Sequence, residues 1–232
     1  MDRDTSINEN APDIVEALLH ARYSCRAYKP DPVPQATIER IVAMSQRTAS
    51  WCNSQPWQLV ITSGAATEEL RTKMHARAMA NEDDDSDFPY PREYRGACLA
   101  RRRESGFQLY DAVGIGHKDM EARTKQALEN FNFFGAPHLA VVHTDEALGV
   151  YGAVDCGLFV STFLLAAQSL GVATIAQAAV ARQSKFLHSH FGIGDDRRIV
   201  CGISFGYADD SHPINQYRTS RAAVSDVVDW RR

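Results

Sequence analysis

Apolar and polar residues follow three rhythms along the chain: a helical one, a near-continuous apolar one of short strands, and a polar one of loops. Ile14, Val15, Leu18 and Leu19 share one helical face. That helix must end before Lys29-Pro30-Asp31-Pro32-Val33-Pro34, because proline lacks the amide hydrogen that a helix interior needs. Arg22 to Lys29 is therefore expected to be an ordered connection. Pro34 suits the first turn of a second helix, with Ile38, Ile41 and Val42 as its stripe and an end near Thr48. Trp57 to Thr62, His138 to Thr144 and Arg198 to Phe205 are rich in β-branched residues and read as buried strands. Helical patterns fill 65–80, 97–113 and 117–131, while Glu82-Asp83-Asp84-Asp85-Ser86-Asp87 with Pro89 and Pro91 reads as a solvated loop.

Gly152 to Gly171 is apolar almost all round, with Asp155 and Gln168 the main exceptions, so this helix must be buried on more than one face. One sheet covers only one face. A second copy of the chain would cover the other, and a central helix inside one subunit is the equal alternative. From Tyr207 the chain turns polar, then closes with Arg218, Arg221 and a tail of Val224, Val227, Val228 and Trp230 that can dock on a neighbour. No repeat and no linker divides the chain, so residues 1–232 read as one domain, with 1–12 a flexible start. Helices around a short mixed sheet point to an α+β sandwich.

Composition narrows the class of partner. A length of 232 residues suffices for one well-buried core, and 44% hydrophobic with 23% charged residues excludes collagen-like, coiled-coil and disordered chains. With 25 Lys+Arg against 29 Asp+Glu, the net charge of -4 lacks the basic excess of a nucleic-acid binder. The five cysteines are scattered without a CxxC pair, which argues against both a disulfide framework and a zinc site. Met1 to Ser6 lacks the apolar core of a secretory signal, and no window reaches 18 uncharged apolar residues. The expectation is a soluble cytoplasmic protein with no membrane or metal partner.

Two segments carry candidate chemistry. In Arg22-Tyr23-Ser24-Cys25-Arg26, alternate residues of a non-helical stretch project to one side and bring two guanidinium groups and a hydroxyl together, a set that suits phosphate. The plain alternative is a pair of surface arginines beyond a helix end. In Ser50-Trp51-Cys52-Asn53-Ser54-Gln55-Pro56-Trp57, the amides of Asn53 and Gln55 at i, i+2 can read an edge such as the pyrimidine ring of a flavin; the alternative is a capped connection. Gly202-Ile203-Ser204-Phe205-Gly206 formally matches a hydrolase nucleophile elbow, but Tyr207 to Pro213 cannot supply the helix that must follow. Gly114-Ile115-Gly116 and Gly192-Ile193-Gly194 lack the third glycine of a dinucleotide fingerprint, and His188-Ser189-His190 is too small a metal set. Arg101, Arg102 and Arg103 would suit a carboxylated acceptor or simply a solvated helix face.

Taken in order, these segments resemble the flavin-dependent nitroreductases, in the branch of the nitrobenzoate reductases. The matching blocks are Arg22 to Arg26 with Pro32-Val33-Pro34, Ser50 to Trp57, Asn130-Phe131-Asn132-Phe133-Phe134-Gly135-Ala136-Pro137, Ala176-Gln177-Ala178-Ala179, and Cys201 to Tyr207 with Asn215 to Arg221. They span about residues 13–230. The resemblance implies a nitroreductase-like three-layer sandwich with a mixed, mostly antiparallel sheet, in a domain-swapped homodimer whose 207–232 extension docks on the partner. It implies one FMN at each of two interface sites. Arg22, Tyr23, Ser24, Arg26, Arg218 and Arg221 match its phosphate end, Ser50, Asn53 and Gln55 its ring loop, and Ala176, Gln177, Ala178 and Ala179 the backbone beside its reactive edge. The loop can come from the other subunit. Trp51, Phe133 and Phe134 are candidates to stack on substrate, against a packing role for each. Thr48-Ala49-Ser50 stands where many relatives have Ala-Pro-Ser, and Trp51 where many have a small residue.

The implied reaction is two-electron reduction of nitroaromatics through nitroso to hydroxylamine, driven by NADH or NADPH in a ping-pong scheme. No side chain need act as a catalytic nucleophile. Quinones, enones and halogenated aromatics are alternative acceptors within the same chemistry.

Overall fold

The computed structural model describes residues 10–82 and 85–232. Of the expected flexible start at 1–12, residues 1–9 lie outside the described residues, as do Asp83 and Asp84 of the acidic run, while Ala11 and Pro12 already belong to a helix. Helix α1 (Ala11–Ala21) stops where Arg22 turns extended, and the next twelve residues are pinned as the prolines require. Ser24 bridges to Thr174 in parallel, Tyr28 bridges to Ala208, and the Val33 amide donates to His138 Nε2 at 2.9 Å. Helix α2 (Gln35–Ser45) follows, then strand β1 (Gln58–Ser63), helices α3 (Ala65–Met79), α4 (Gly96–Ala112) and α5 (Met120–Leu128), and strand β2 (His138–Asp145). The long helix α6 (Gly149–Ser169), strand β3 (Ala173–Gln177), helix α7 (Ser184–Phe191) and strand β4 (Arg197–Gly206) complete the regular structure.

The sheet runs β1-β2-β4-β3 with every neighbouring pair antiparallel; among the described residues the parallel component of the expected mixed sheet is only the Ser24–Thr174 bridge. Strand alternation separates two cores. Ala140, Val142, Cys201, Ile203 and Phe205 face α2 and α6, packing on Ile41, Phe159 and Phe163. Leu139 and Val141 face the other way, toward Leu70 and Met74 of α3 and Leu187 of α7. Ile199 joins this second core although it shares the parity of Cys201, because the register slips between Val142 and His143, leaving Val200 as an extra residue that flips the strand before it.

Helix α6 is half committed. Seven of its residues are buried, including Asp155, Phe159 and Phe163, while Val150, Tyr151, Val154 and Leu158 stay exposed. By length and composition alone it would also suit a membrane span, but its buried side packs beneath the sheet as a core helix does. Helix α1, which touches α6, buries none of its residues and leaves Ile14, Val15 and Leu19 exposed.

Candidate functional site

The extended segment after α1 runs beside the outer edge of β3, where the Cys25 amide donates to Thr174 O at 3.0 Å. Here the chain's two basic ends meet. A cleft of about 420 Å³ is lined by Arg22, Tyr23, Ser24 and Arg26 from the start of the chain and by Tyr217, Arg218 and Arg221 from its tail. Asn215 ties the strands of this corner together: its Oδ1 accepts the Arg26 amide at 2.9 Å while its Nδ2 donates to Ala27 O and Asp209 O. Arg26 Nη1 donates to the Tyr217 hydroxyl, 191 residues away, at 2.8 Å, and the Arg218 guanidinium lies 3.8 Å from the centre of the Tyr23 ring.

The electrostatics of the cleft are those of an anion site. Among the described residues none of Arg22, Arg218 and Arg221 has a carboxylate partner; Arg218 and Arg221 donate to nearby backbone and hydroxyl oxygens instead. Burial first, and then the like charge of Arg221, hold the Arg22 guanidinium below its ordinary pKa. Burial likewise pushes the Tyr23 phenol up to about 12, so it stands as a neutral hydroxyl. Cations brought together without a counter-charge cost stability, and an entering anion removes that cost. The donor set fits the phosphate of FMN.

Two residues along the same edge from Thr174, the small residues expected beside the flavin leave the backbone open: Ala176 and Ala178 are exposed. Gln177 is buried and turned into the fold, donating from Nε2 to Asn130 O at 2.9 Å and accepting from the Ser204 hydroxyl. The Tyr90 hydroxyl donates to Ala178 O, bringing the 86–91 loop onto this segment. Tyr90 was not singled out from sequence, and Asn215 and Tyr217 entered only as members of the 215–221 block of the resemblance, without a role of their own.

The third expected part lies elsewhere. Ser50 to Gln55 folds over the first turns of α6, where both carboxylate oxygens of Asp155 accept the Trp51 amide at 3.1 Å. The Ser50 hydroxyl caps the loop by accepting the Gln55 amide at 3.0 Å, and Gln55 Nε2 donates to Asn53 Oδ1 at 3.1 Å. Cys52, Asn53 and Gln55 all sit at positive φ, a clustering of left-handed backbone that functional loops tolerate and ordinary connections avoid. This loop belongs to the Thr144 end of β2, which packs against Gly152, whereas Ser24 reaches the His138 end through Thr174 and Phe205. Those ends are about 20 Å apart at roughly 3.4 Å per residue. One chain does not bring Asn53 and Gln55 to its own basic cleft.

Packing places the remaining candidates differently. Phe133 is fully buried in the second core with the Arg71 guanidinium 5.5 Å from its ring, and Phe134 is 7% exposed with the Arg26 guanidinium 5.9 Å from its ring; neither is among the residues that line the basic cleft. Trp51, by contrast, is 65% exposed and tilts against Tyr151 at 5.1 Å. Ser204 lies buried in mid-β4 with its hydroxyl spent on Gln177, and a Cβ on Gly202 would meet Val180 at 2.9 Å. The glycines of the G-x-S-x-G run are packing glycines, and the elbow is absent. Among the described residues no group of three metal-ligating side chains occurs.

The model of the Nitroreductase family matches residues 19–207. The chain belongs to the nitroreductase family. This nitroreductase is 33% identical over 219 residues to nitroreductase NfnB of Mycolicibacterium smegmatis, spanning 94% of the chain and 92% of the relative. It is 30% identical over 211 residues to a 4-nitrobenzoate reductase of Pseudomonas putida, spanning 90% and 92%. Its fold superposes on the FMN-dependent nitroreductase NfnB from Mycobacterium smegmatis, solved in complex with NADPH, with a TM-score of 0.90 at 31% identity, over 95% of this chain and 99% of that one.

Proposed function

We propose that this nitroreductase is an FMN enzyme that uses NAD(P)H to reduce nitroaromatic compounds by two-electron steps, nitro to nitroso to hydroxylamine, in a ping-pong scheme. The observation that carries the reading is the cleft in which Arg22, Arg218 and Arg221 gather without a carboxylate, in a fold shared with an FMN-dependent relative. FMN, when bound, supplies the hydride chemistry that no side chain here provides. The chain's own task is binding and exclusion. Arg22, Arg26, Arg218 and Arg221 hold the phosphate by charge-assisted hydrogen bonds, each worth about 1.5–3 kcal/mol, with the Ser24 hydroxyl beside them. The open backbone at Ala176 and Ala178 admits the flat ring edge, and Tyr90 steadies the Ala178 carbonyl from outside.

The functional unit in this reading is a homodimer in the cytoplasm. Helices α1 and α6 leave large apolar residues exposed, as does the tail at Val224, Val227 and Trp230, a surface of the kind that an interface covers. A second copy covers it and carries its own Ser50–Gln55 loop to the basic cleft of the first, supplying Asn53, Gln55 and Trp51. The test is direct. The purified protein should be yellow, dimeric by sedimentation, and should oxidise NADPH or NADH when given a nitroaromatic. Arg22→Ala and Arg221→Ala should weaken FMN binding about ten- to hundredfold. FMN occupancy equal to the parent's in both variants would remove the phosphate assignment, and full turnover by a monomer would remove the shared site.

A further inference from the structure

Without a nucleophile elbow, Gly202-Ile203-Ser204-Phe205-Gly206 still pairs with the end of β3 that leads into the exposed Ala178. Directly opposed residues of an antiparallel pair share a face, and so do residues two apart on one strand. Ile175 opposes Ser204 and Gln177 opposes Gly202, so Gln177, Gly202 and Ser204 point to one side, that of Leu139 and Val141. Gln177 is buried and Ser204 fully so. The Ser204 hydroxyl donates to Gln177 Oε1, and Gln177 Nε2 donates to Asn130 O at 2.9 Å. Beyond β3 the chain makes a 3₁₀ turn, Ala178–Gln183, in which residues three apart lie on one face. Gln177, Val180 and Gln183 form that face, and all three are buried. Val180 fills the space over Gly202, where a Cβ would come within 2.9 Å of it, and Gln183 Nε2 donates to Met74 O at 2.9 Å. Strand β4 thus receives the turn at two points: Gly202 makes room for Val180, and Ser204 holds Gln177.

Stability alone does not call for this pair. Leu139 and Ile175, which oppose Ser204 from the strands on either side, are buried and apolar. In such surroundings two apolar side chains of matching shape would be about as stable as the hydroxyl and amide, because folding exchanges bonds to water for bonds within the protein. What the pair adds is direction. A hydrogen bond holds Gln177 at one distance and angle, whereas an apolar contact tolerates sliding, and a fully satisfied buried network specifies one arrangement of the segment that carries it. The segment carried here is Ala176 to Ala178, whose carbonyl at Ala178 the Tyr90 hydroxyl meets from the other side.

We propose that Ser204 is a positioning residue of the flavin site: acting through Gln177, it sets the place of the Ala176–Ala178 backbone against which the ring edge rests, so that the serine of this run serves placement and not nucleophilic attack. The proposal rests on the FMN reading given above. In that reading Arg22, Arg218 and Arg221 hold the phosphate separately, so a shift at Ala178 disturbs the ring while the cofactor stays bound.

The test begins with the full chain free of FMN, where Ser204→Ala should speed amide hydrogen exchange at Ala178 to Val180 about tenfold, as the loss of one buried hydrogen bond allows. With FMN saturating, the same variant should keep full flavin occupancy, shift the visible band of the bound flavin, and slow flavin reduction by NADPH about 10- to 100-fold in rapid mixing. Ser204→Ala combined with Gln177→Met strands no amide oxygen, so it should regain most of the lost stability in urea without regaining the band position or the reduction rate. Thr67→Val removes a buried hydroxyl bond to Thr62, 2.9 Å long and two strands away, and should cost stability while leaving both flavin readouts as in the parent. A double variant whose flavin readouts recover together with its stability makes the pair a packing feature and overturns the proposal. So does a Ser204→Ala protein that binds FMN and matches the parent in band and rate. A parent that takes up no FMN overturns the flavin reading itself, and this proposal with it.

Discussion

Truncating Asp155 to alanine probes how the strained loop on α6 is held. The carboxylate is 5% exposed, and it accepts the Trp51 amide through both oxygens at 3.1 Å, with the Ser54 hydroxyl at 3.5 Å. A hydrogen bond to a charged acceptor contributes about 1.5–3 kcal/mol, and truncation also strands the Trp51 amide. The loop it anchors carries three residues in left-handed backbone, Cys52, Asn53 and Gln55, each costing about 1 kcal/mol or more. An anchor of that size opposes a strain of similar size, so its removal should free the loop as well as destabilise the fold. The expected loss is about 2–3 kcal/mol, equivalent to a Tm fall of about 4–12 °C for a chain this long. Asp155→Asn, which keeps one acceptor oxygen, should lose about half as much. Thermal unfolding of the FMN-free protein isolates the stability effect, and FMN titration then reads the loop, whose amides should no longer reach the ring in register. An Asp155→Ala protein with the parent's Tm and the parent's FMN affinity would refute the reasoning, because the loop would then stand without its carboxylate.

Other outcomes follow from single contacts. Gly206→Ala would place a Cβ 2.5 Å from Pro137 Cδ, a ring atom that cannot swing away, so the urea midpoint should fall by an amount equivalent to about 1–3 kcal/mol with the m-value unchanged. His188 Nδ1 faces Ile193 O at 3.0 Å and Nε2 faces Asp87 Oδ2 at 2.8 Å, so both ring nitrogens meet acceptors. Burial lowers its pKa, but the Asp87 carboxylate and the Ile193 carbonyl outweigh burial and raise it overall. The imidazolium's contribution should be fully present below the unfolded value near about 6.5 and should be lost as pH rises through the higher folded value. A parent whose urea midpoint shows no more decline over that interval than His188→Gln would contradict this. Among the thiols, exposed Cys52 and Cys98 should react with a disulfide reagent in the native protein. Cys156 and Cys201, buried and pushed up to about 11 and about 12, should react only on unfolding, and early labelling of either would count against the packing.

How far the sequence could be read depended on whether its signals were local. Strands β1, β2 and β4 showed themselves because β-branched runs are long enough to outweigh their surroundings. Strand β3 did not: Ala173-Thr174-Ile175-Ala176-Gln177 is short and half alanine and glutamine, and it is a strand because β4 pairs with it. Helix α7 is eight residues long with two histidines, too brief for a clear period. The bulge at Val200 is invisible in the sequence, since it arises from how two strands meet. The Arg22 and Arg221 sets were each readable as basic, but their meeting is a tertiary fact that only the resemblance anticipated. Phe133 and Phe134 were ambiguous because an aromatic pair before a tight turn offers the same letters whether it lines a cleft or fills a core.

The distance between the loop on α6 and the basic cleft also has a genetic meaning. If each site draws its phosphate arginines from one copy and its ring loop from the other, damage to the two parts is not inherited by the same site. A copy lacking Arg221 and a copy lacking the Asn53 loop would each be inactive alone, yet a dimer of the two would hold one intact site and one doubly damaged. Random pairing of equal amounts would restore about one site in four. Two defective alleles of this nitroreductase would then complement each other within one cell, whereas two lesions at the same end of the sheet would not.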